Sequence, residues 1–525
     1  MSRSARAAKG FAASILQYCT QILVQILLAP IVLKLAGRET LGAYAAIMQT
    51  LTLLQLVDIA GSWSLERFLA QANGYEDGGQ RFRNVFTTAR TMLLATYSAF
   101  GLLVVIFSFF VGRLFHLSPA IALQAQHALW VIAIWAVIRT PLAAYSAASI
   151  AMQDIAAANL IGALGGVLRT VASLGFVLAG AGLFGLMLAG TVAEGVGLLL
   201  YRTRFRKVNP MLMPSWGIPD RALLREMIGF GGHTVFLNLG NMLFFSSGNM
   251  LAGLTNGAAA ASSFYTTQMP TTTVYNMIYR MTEAATPAVN ELYGRKDYDR
   301  VRYALVRLSR LLLLFNLPLA VAVLIFNRDL VVTWVGEQQY AGTLLTVSLA
   351  GFCVVNAIQR LVIAFAFIFG WMRLLSVTAL LQGLANFGLA FYLGKRLGLG
   401  GITLALVIVL LPQLVILIKK ISEYMNVNLA VQLLQTVGKA IVPLALAAGA
   451  GLLAHSHVAI ARKHFSGLAA ELGAFAAVYG LLAWFFIMTE QDHNDARRFM
   501  NSILSRFGKK PAQVAEAAAV DAQAN

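Results

Sequence analysis

From Phe11 to about Met488 the chain is a succession of apolar runs, most of roughly twenty residues or more, separated by short breaks that carry most of the charge. A run of roughly 18 or more apolar residues can cross a hydrocarbon core as a helix. Within that core every backbone hydrogen bond must be made internally, which a helix does alone. The pattern therefore predicts an all-α, polytopic membrane protein. Composition agrees, with 58% of the 525 residues apolar and 12% charged, against about 25% charged in an ordinary soluble domain. A formal charge of +18 would suit a nucleic-acid binder if the cations shared one soluble domain. They lie in the breaks instead, so membrane topology accounts for them and no nucleic-acid partner is expected.

The runs read as about fourteen helices, near 11–36, 40–70, 92–115, 120–147, 156–179, 183–201, 227–253, 258–290, 309–327, 341–369, 374–394, 399–418, 437–456 and 467–488. The second and eighth are long enough for their polar ends to project beyond the membrane. With the N-terminus in the cytoplasm, 28 of the 40 Lys and Arg fall in cytoplasmic segments, 8 in outer segments and 4 within helices. Such an excess is the positive-inside bias, and it predicts a multi-pass protein with both termini cytoplasmic. The start carries Arg3, Arg6 and Lys9 but lacks a small-residue cleavage site, so the first run reads as a retained helix. Cys19 and Cys353 lie inside apolar runs and read as small apolar residues, with no disulfide or metal site. Residues 424–436 read as a connector, with a short interfacial helix carrying Leu429 and Leu433 one turn apart as the alternative, and the tail beyond Phe507 as disordered.

The long basic break at 202–226 divides the first twelve helices six and six. The segments after the second and eighth helices echo each other: Gly74-Tyr75-Glu76-Asp77 leads to Arg83 and Arg90, and Gly294-Arg295-Lys296-Asp297 leads to Arg300 and Arg307. Paired repeats are common in secondary transporters, whose substrate site lies near the midplane between them. The expected organisation is an N-terminal six-helix lobe (1–201), a cytoplasmic linker (202–226), a second lobe (227–418), two additional helices (419–488) and a cytoplasmic tail (489–525).

Several segments, in order, resemble a known family. Pro30 to Tyr44 (PIVLKLAGRETLGAY) and Leu56 to Arg67 (LVDIAGSWSLER) look like the opening of the polysaccharide-exporter flippases. These belong to the multidrug/oligosaccharidyl-lipid/polysaccharide exporter superfamily. Trp216 to Gly231 (WGIPDRALLREMIGFG) is similar to that family's link into its second half. Thr286-Pro287, Gly336 to Tyr340, Gly370 to Arg373 and Leu397 to Ile402 (LGLGGI) extend the likeness over roughly 12–420. The resemblance implies two six-helix lobes around a central cavity that opens alternately to each side of a bacterial inner membrane. It also implies an undecaprenyl-pyrophosphate-linked oligosaccharide as cargo, for O-antigen or exopolysaccharide assembly, alongside membrane lipids and other glycan-assembly membrane proteins. Twelve helices are common in that family. The fourteen here also match the lipid-linked peptidoglycan-precursor flippases of the same superfamily.

Ionisable residues inside the membrane mark function, because each costs at least about 2.5–3.5 kcal/mol at mid-bilayer on insertion scales. Arg139, Arg169, Arg280 and Arg360 lie within helices, as do Asp58, Glu66, Glu194 and Glu283. The counts balance, so mutual pairing is the plain alternative to cargo contact. Arg280 and Glu283, three apart, share a helix face, and Glu66 sits beside Arg67 near a helix end. Arg169 has no acid within a turn in sequence and lies mid-run. Guanidinium suits a pyrophosphate because it stays charged and offers two parallel donors, which makes Arg169, Arg139, Arg360 and Arg280 the anion candidates. Sugars need neutral donors and acceptors. Gln17, Gln21 and Gln25 form a stripe on the first helix, joined by Gln55 on the second, Asn241 on the seventh, and Gln268, Tyr275 and Asn276 on the eighth.

The peptidoglycan-precursor flippase is the alternative reading, and a cation-coupled drug exporter is another; no enzyme is expected. A cation-coupled drug exporter would use membrane acids, commonly in the first or seventh helix, and neither contains Asp or Glu here. Asp58 and Glu194 are the candidates for ion coupling. An enzyme would need a constellation that does not appear: no nucleotide loop, metal cluster, cofactor motif or catalytic triad is visible. His455, His457 and His464 read as a solvated outer loop.

Overall fold

The computed structural model describes residues 3–75, 77–214, 217–457 and 465–494, with the backbone alone at 3–25, 57–64, 230–237, 281, 284 and 454–457. Every regular element among these residues is helical. The first, α1, is Arg3–Leu54, but it turns over at Gly37 (φ 85°, ψ 171°) and so supplies two crossings. Only glycine takes that backbone region without cost, so the reversal is written at one residue. A 3-10 turn, Gln55–Asp58, leads into α2, Ile59–Ala72. Then come α3 (Gln80–Leu114), α4 (Pro119–Ile138), α5 (Thr140–Ala151), α6 (Ile155–Leu178) and α7 (Gly182–Val208). The second half holds α8 (Arg221–Phe245), α9 (Gly248–Asn256), α10 (Ala258–Gly294), α11 (Tyr298–Val335), α12 (Thr343–Ile368), α13 (Met372–Leu397) and α14 (Leu399–Met425). The chain closes with α15 (Leu429–His457) and α16 (Phe465–Phe486). Counting α2 with the second half of α1, α4 with α5, and α8 with α9 as broken single crossings gives the fourteen expected.

Boundaries differ where charged residues extend a helix into water. α7 continues through Arg202, Arg204, Arg206 and Lys207, so the inter-lobe linker shrinks to the segment between Val208 and Arg221. Cations in a last helical turn are favoured by the exposed carbonyls there. Residues 429–436, expected in a connector, are the first turns of α15, with Leu429 fully buried.

Ten helices among the described residues are long and apolar enough to span a membrane: α3, α4, α6, α7 and α11 to α16. α10 is not one of them despite its 37 residues, since Gln, Thr, Tyr and Asn recur along it. The chain is thus a multi-pass membrane protein in which one of the longest helices is also among the more polar.

α1 to α7 pack as one lobe and α8 to α14 as the other, while α15 and α16 lean on α11 through Leu314, Phe326, Phe475 and Tyr479. The lobes meet closely near the end of the bundle that holds Gly37. There a Cβ on Gly42 would lie 1.7 Å from the Ala258 carbonyl oxygen, so only glycine lets α1 approach α10 this far. The Ala258 amide donates to the Phe115 carbonyl at 3.1 Å across the same seam. At the opposite face, α2 packs on the start of α8 through Leu65, Leu69 and Met227.

Candidate functional site

A cavity of about 480 Å³ opens within the second lobe, between α8, α9, α10, α12 and α14, with Gln49 of α1 reaching in from the first lobe. Its polar wall is a helical pattern. On α10, Tyr265, Gln268, Thr272, Tyr275 and Asn276 recur at spacings of one, three and four and all line it. On α12, Asn356 and Arg360 are four apart and lie on one face. Gln268 donates through its side-chain nitrogen to the Asn249 side-chain oxygen at 3.0 Å. Gln49 accepts from the Asn249 and Met250 amides at 2.6 and 3.2 Å, tying the first lobe to the start of α9.

Several polar atoms on the cavity wall lack partners. The Tyr275 hydroxyl, both polar side-chain atoms of Asn356, the Thr403 hydroxyl and Arg360 Nε are buried without a hydrogen bond. Most buried polar groups in proteins are bonded, and each one left bare costs about 1–3 kcal/mol. Five such atoms from three helices around one cavity form a surface that a hydrogen-bonding ligand, or water in its place, completes.

Arg360 is held by aromatic faces. Its guanidinium lies 4.3 Å from the Tyr279 ring centre, 4.7 Å from Phe245 and 5.9 Å from Tyr275. No ion pair joins it to a carboxylate among the described residues, and the cavity lining contains no Asp or Glu. Cation–π contact orients a cation without cancelling its charge, so the cavity is positive.

The structure brings Gln268, Tyr275, Asn276 and Arg360 together in this cavity. The other sequence candidates lie elsewhere. Arg169 donates to the Tyr44 hydroxyl in the first lobe, beside Tyr265, which itself lines the cavity. Arg139 pairs with Glu194, which also accepts from the Trp135 indole at 2.9 Å. Arg280 lies 3.7 Å from Glu283, and both side chains are exposed. Gln55 and Asn241 are exposed and are not part of the wall. The side chains of Gln17, Gln21, Gln25 and Asp58 lie outside the described residues, as do those of the three histidines at 455, 457 and 464. Sequence reasoning missed Gln49, Asn356 and Thr403. The four-residue step from Asn356 to Arg360 was a usable signal; Thr403 carries none.

A long-helix bundle of two lobes with a polar, cationic cavity between helices defines a class of polytopic membrane protein. Solved structures with this fold include an inward-facing multidrug resistance MATE family transporter of the MOP superfamily, at TM-score 0.66 and 16% identity over 79% of this chain and 98% of that one. The lipid II flippase MurJ in an inward closed conformation matches at TM-score 0.64 and 12% identity, covering 92% of this chain and 98% of MurJ. A MOP superfamily transporter from Pyrococcus furiosus matches at TM-score 0.55 and 15% identity, over 80% of this chain and 95% of that one. No curated protein matches the chain. The family model described as polysaccharide biosynthesis protein matches residues 31–342, more than half of the chain, and the chain belongs to that family.

Proposed function

We propose that this protein is a flippase that carries an undecaprenyl-pyrophosphate-linked oligosaccharide from the cytoplasmic to the outer leaflet of a bacterial inner membrane, by alternating access, for surface polysaccharide assembly. One observation carries the reading. The cavity combines an aromatic-held guanidinium with unsatisfied amide and hydroxyl groups and has no carboxylate among the described residues of its wall. Arg360 suits a phosphate oxygen, whereas Gln268, Asn276, Asn356 and the Tyr275 hydroxyl suit sugar hydroxyls. A cationic drug would meet like charge there and no counter-ion. Membership of a polysaccharide biosynthesis family agrees with a glycan cargo. The protein then works by binding and rocking, with no bond made or broken.

The cavity lies partway through the bundle. Gln268 is eleven residues past Gly257, about 16 Å along α10 at 1.5 Å per residue. In the proposed topology the Gly37 end is outer, so the close seam at Gly42 and Ala258 shuts the cavity from outside. The first test is the leaflet distribution of lipid-linked glycan in cells lacking the protein. Undecaprenyl-linked oligosaccharide trapped on the cytoplasmic face, with surface polysaccharide lost, is the expected result. Normal surface glycan with new drug sensitivity would sink the flippase reading and move the protein to the small-molecule exporters. Arrest of cell-wall synthesis instead would assign it to the peptidoglycan-precursor flippases, whose MurJ structure covers 92% of this chain.

A further inference from the structure

On the Gly37 face a second hollow, of about 360 Å³, lies between the first helical hairpin and the end of α11. Both lobes build it. Lys34, Arg38, Pro30 and Leu33 come from α1, and Trp334 and Gln338 from α11 and the turn after it. The Trp334 indole donates to the Ile26 carbonyl at 2.9 Å, and the Arg38 guanidinium donates to the Ser263 hydroxyl at 3.0 Å, so the seam is stitched from each side. Arg38 Nε is nevertheless buried without a partner. Lys34 is exposed and makes no ion pair with a carboxylate among the described residues. The one acid in the wall, Glu337, is met by Arg328 at 3.3 Å. The groove therefore keeps an excess of positive charge beside an indole and an apolar wall.

The placement of these cations is unusual for this chain. Only 8 of its 40 Lys and Arg fall in the outer breaks, and Lys34, Arg38 and Arg328 are three of them, gathered at one groove. A lysine at a membrane interface needs no ligand, since its stem can lie along lipid and its ammonium in water. That account does not cover a buried guanidinium nitrogen left bare across a lobe–lobe seam.

Resting on the flippase reading, we propose that this groove is an outer-face anchor for the diphosphate of a polyprenyl-linked product. Lys34 and Arg38 take phosphate oxygens, while Trp334, Pro30 and Leu33 take the first isoprenoid carbons. Because its walls belong to different lobes, an occupant binds best when the lobes are closed at this face and shifts the protein toward that state. Released product would so oppose its own return through the outer gate.

The test is calorimetric binding to the purified full-length protein, in an Arg360→Gln background that silences the central cavity. The probes are inorganic pyrophosphate and a short-chain polyprenyl diphosphate. Both are expected to bind, the polyprenyl form more tightly, and adding Lys34→Gln with Arg38→Gln should weaken each by at least about tenfold, the worth of one charge-assisted bond. Arg38 also helps hold the seam. Lys34→Gln alone, which removes only an exposed cation, is the check should the double variant fail to fold, and it should still weaken binding measurably. Affinity unchanged by Lys34→Gln, or no binding in the Arg360→Gln background, overturns the site. Equal affinity for the two probes overturns the lipid-linked product and leaves a free diphosphate. Leaflet distribution of glycan in deletion cells tests the flippase reading separately. Groove binding with normal glycan export would sink that reading and keep the anion site, and trapped glycan without groove binding would do the reverse.

Discussion

Arg139 and Arg360 occupy the fourth and tenth crossings, counterpart places in the two lobes, and each lies over aromatic rings. Arg139 is 4.3 Å from the Tyr97 ring centre, and Arg360 is 4.3 Å from that of Tyr279. The difference is a carboxylate. Glu194 accepts from Arg139 and from the Trp135 indole, so the first-lobe arginine is half of a neutral pair that joins α4 to α7 at the break before Thr140. Arg360 has rings but no acid beside it among the described residues, and Asn356 lies one turn away with both polar atoms bare; Nε lacks a partner in both arginines. A guanidinium closed off by an acid holds helices together. The same group left open in a cavity keeps its charge for a ligand. Membrane arginine is therefore not a site by itself; its nearest acid decides.

The largest effect should come from removing the open charge. Arg360→Ala is expected to lower surface-glycan export by at least about tenfold at matched protein level, because a charge-assisted contact is worth about 1.5–3 kcal/mol. Arg360→Lys should recover part of it, since an ammonium keeps the charge but loses the planar pair of donors. Normal export in Arg360→Ala would remove the functional half of the comparison.

The contrast can be sharpened by making the second lobe resemble the first. Asn356→Asp places an acid four residues before Arg360, the favourable order for a helical pair. The variant should fold as well as wild type and lose much of its export, because the guanidinium would then be neutralised as Arg139 is. Export equal to wild type, with the pair shown to form, would mean that open charge is not what the cargo requires.

Much of the fold was legible because apolar runs and their breaks report the bilayer directly, and Gly37, Gly257 and Gly336 punctuate the turns where the runs end. The site was legible on α10, where the recurrence of Gln268, Tyr275 and Asn276 shows one polar face. It was not legible for pairing across the lobe. No spacing rule connects Arg139 to Glu194, 55 residues on. Arg169, mid-run and without a nearby acid, looked the most open arginine in sequence, yet a tyrosine 125 residues earlier meets it. Phe245, which no spacing or motif singles out, walls the cavity and covers Arg360. Helical periodicity reports which face is polar; which residue answers a charge across the lobe is set by tertiary packing.

Breaking the closed pair tests the other half. Glu194→Gln keeps the shape but leaves Arg139 facing Tyr97 with no acid. Arg139 is 13% exposed and Glu194 37%, so solvent screens part of the loss and a cost of about 1–2 kcal/mol is expected. The thermal midpoint in detergent should fall, with export close to wild type at matched protein level. A variant of wild-type stability that exports poorly would show that Glu194 serves the transport cycle itself, as its position as a candidate ion-coupling acid allows, and the structural reading of the first-lobe pair would fail.

The smallest effect on transport should come from a third arginine arrangement, outside the lobes. Asp492, 2% exposed, receives Arg307 at 3.2 Å and also Arg310, fastening the end of α16 to α11. Burial pushes its carboxyl up, but the Thr489 hydroxyl and amide, then Arg310 and Arg307, outweigh burial and hold it below the usual carboxylate range. A lowered folded value means that the contribution is complete above the ordinary Asp pKa of about 3.9 and disappears as pH falls through the lowered one. Asp492→Asn should loosen the α11–α16 contact by about 1–3 kcal/mol and leave export near wild type. The difference in detergent stability between wild type and variant should stay constant from neutral pH down to about 5, and shrink only below about 4. A difference that fades between pH 7 and 5 would place the responsible group elsewhere, and a strong export defect would tie the C-terminal helices to the transport cycle.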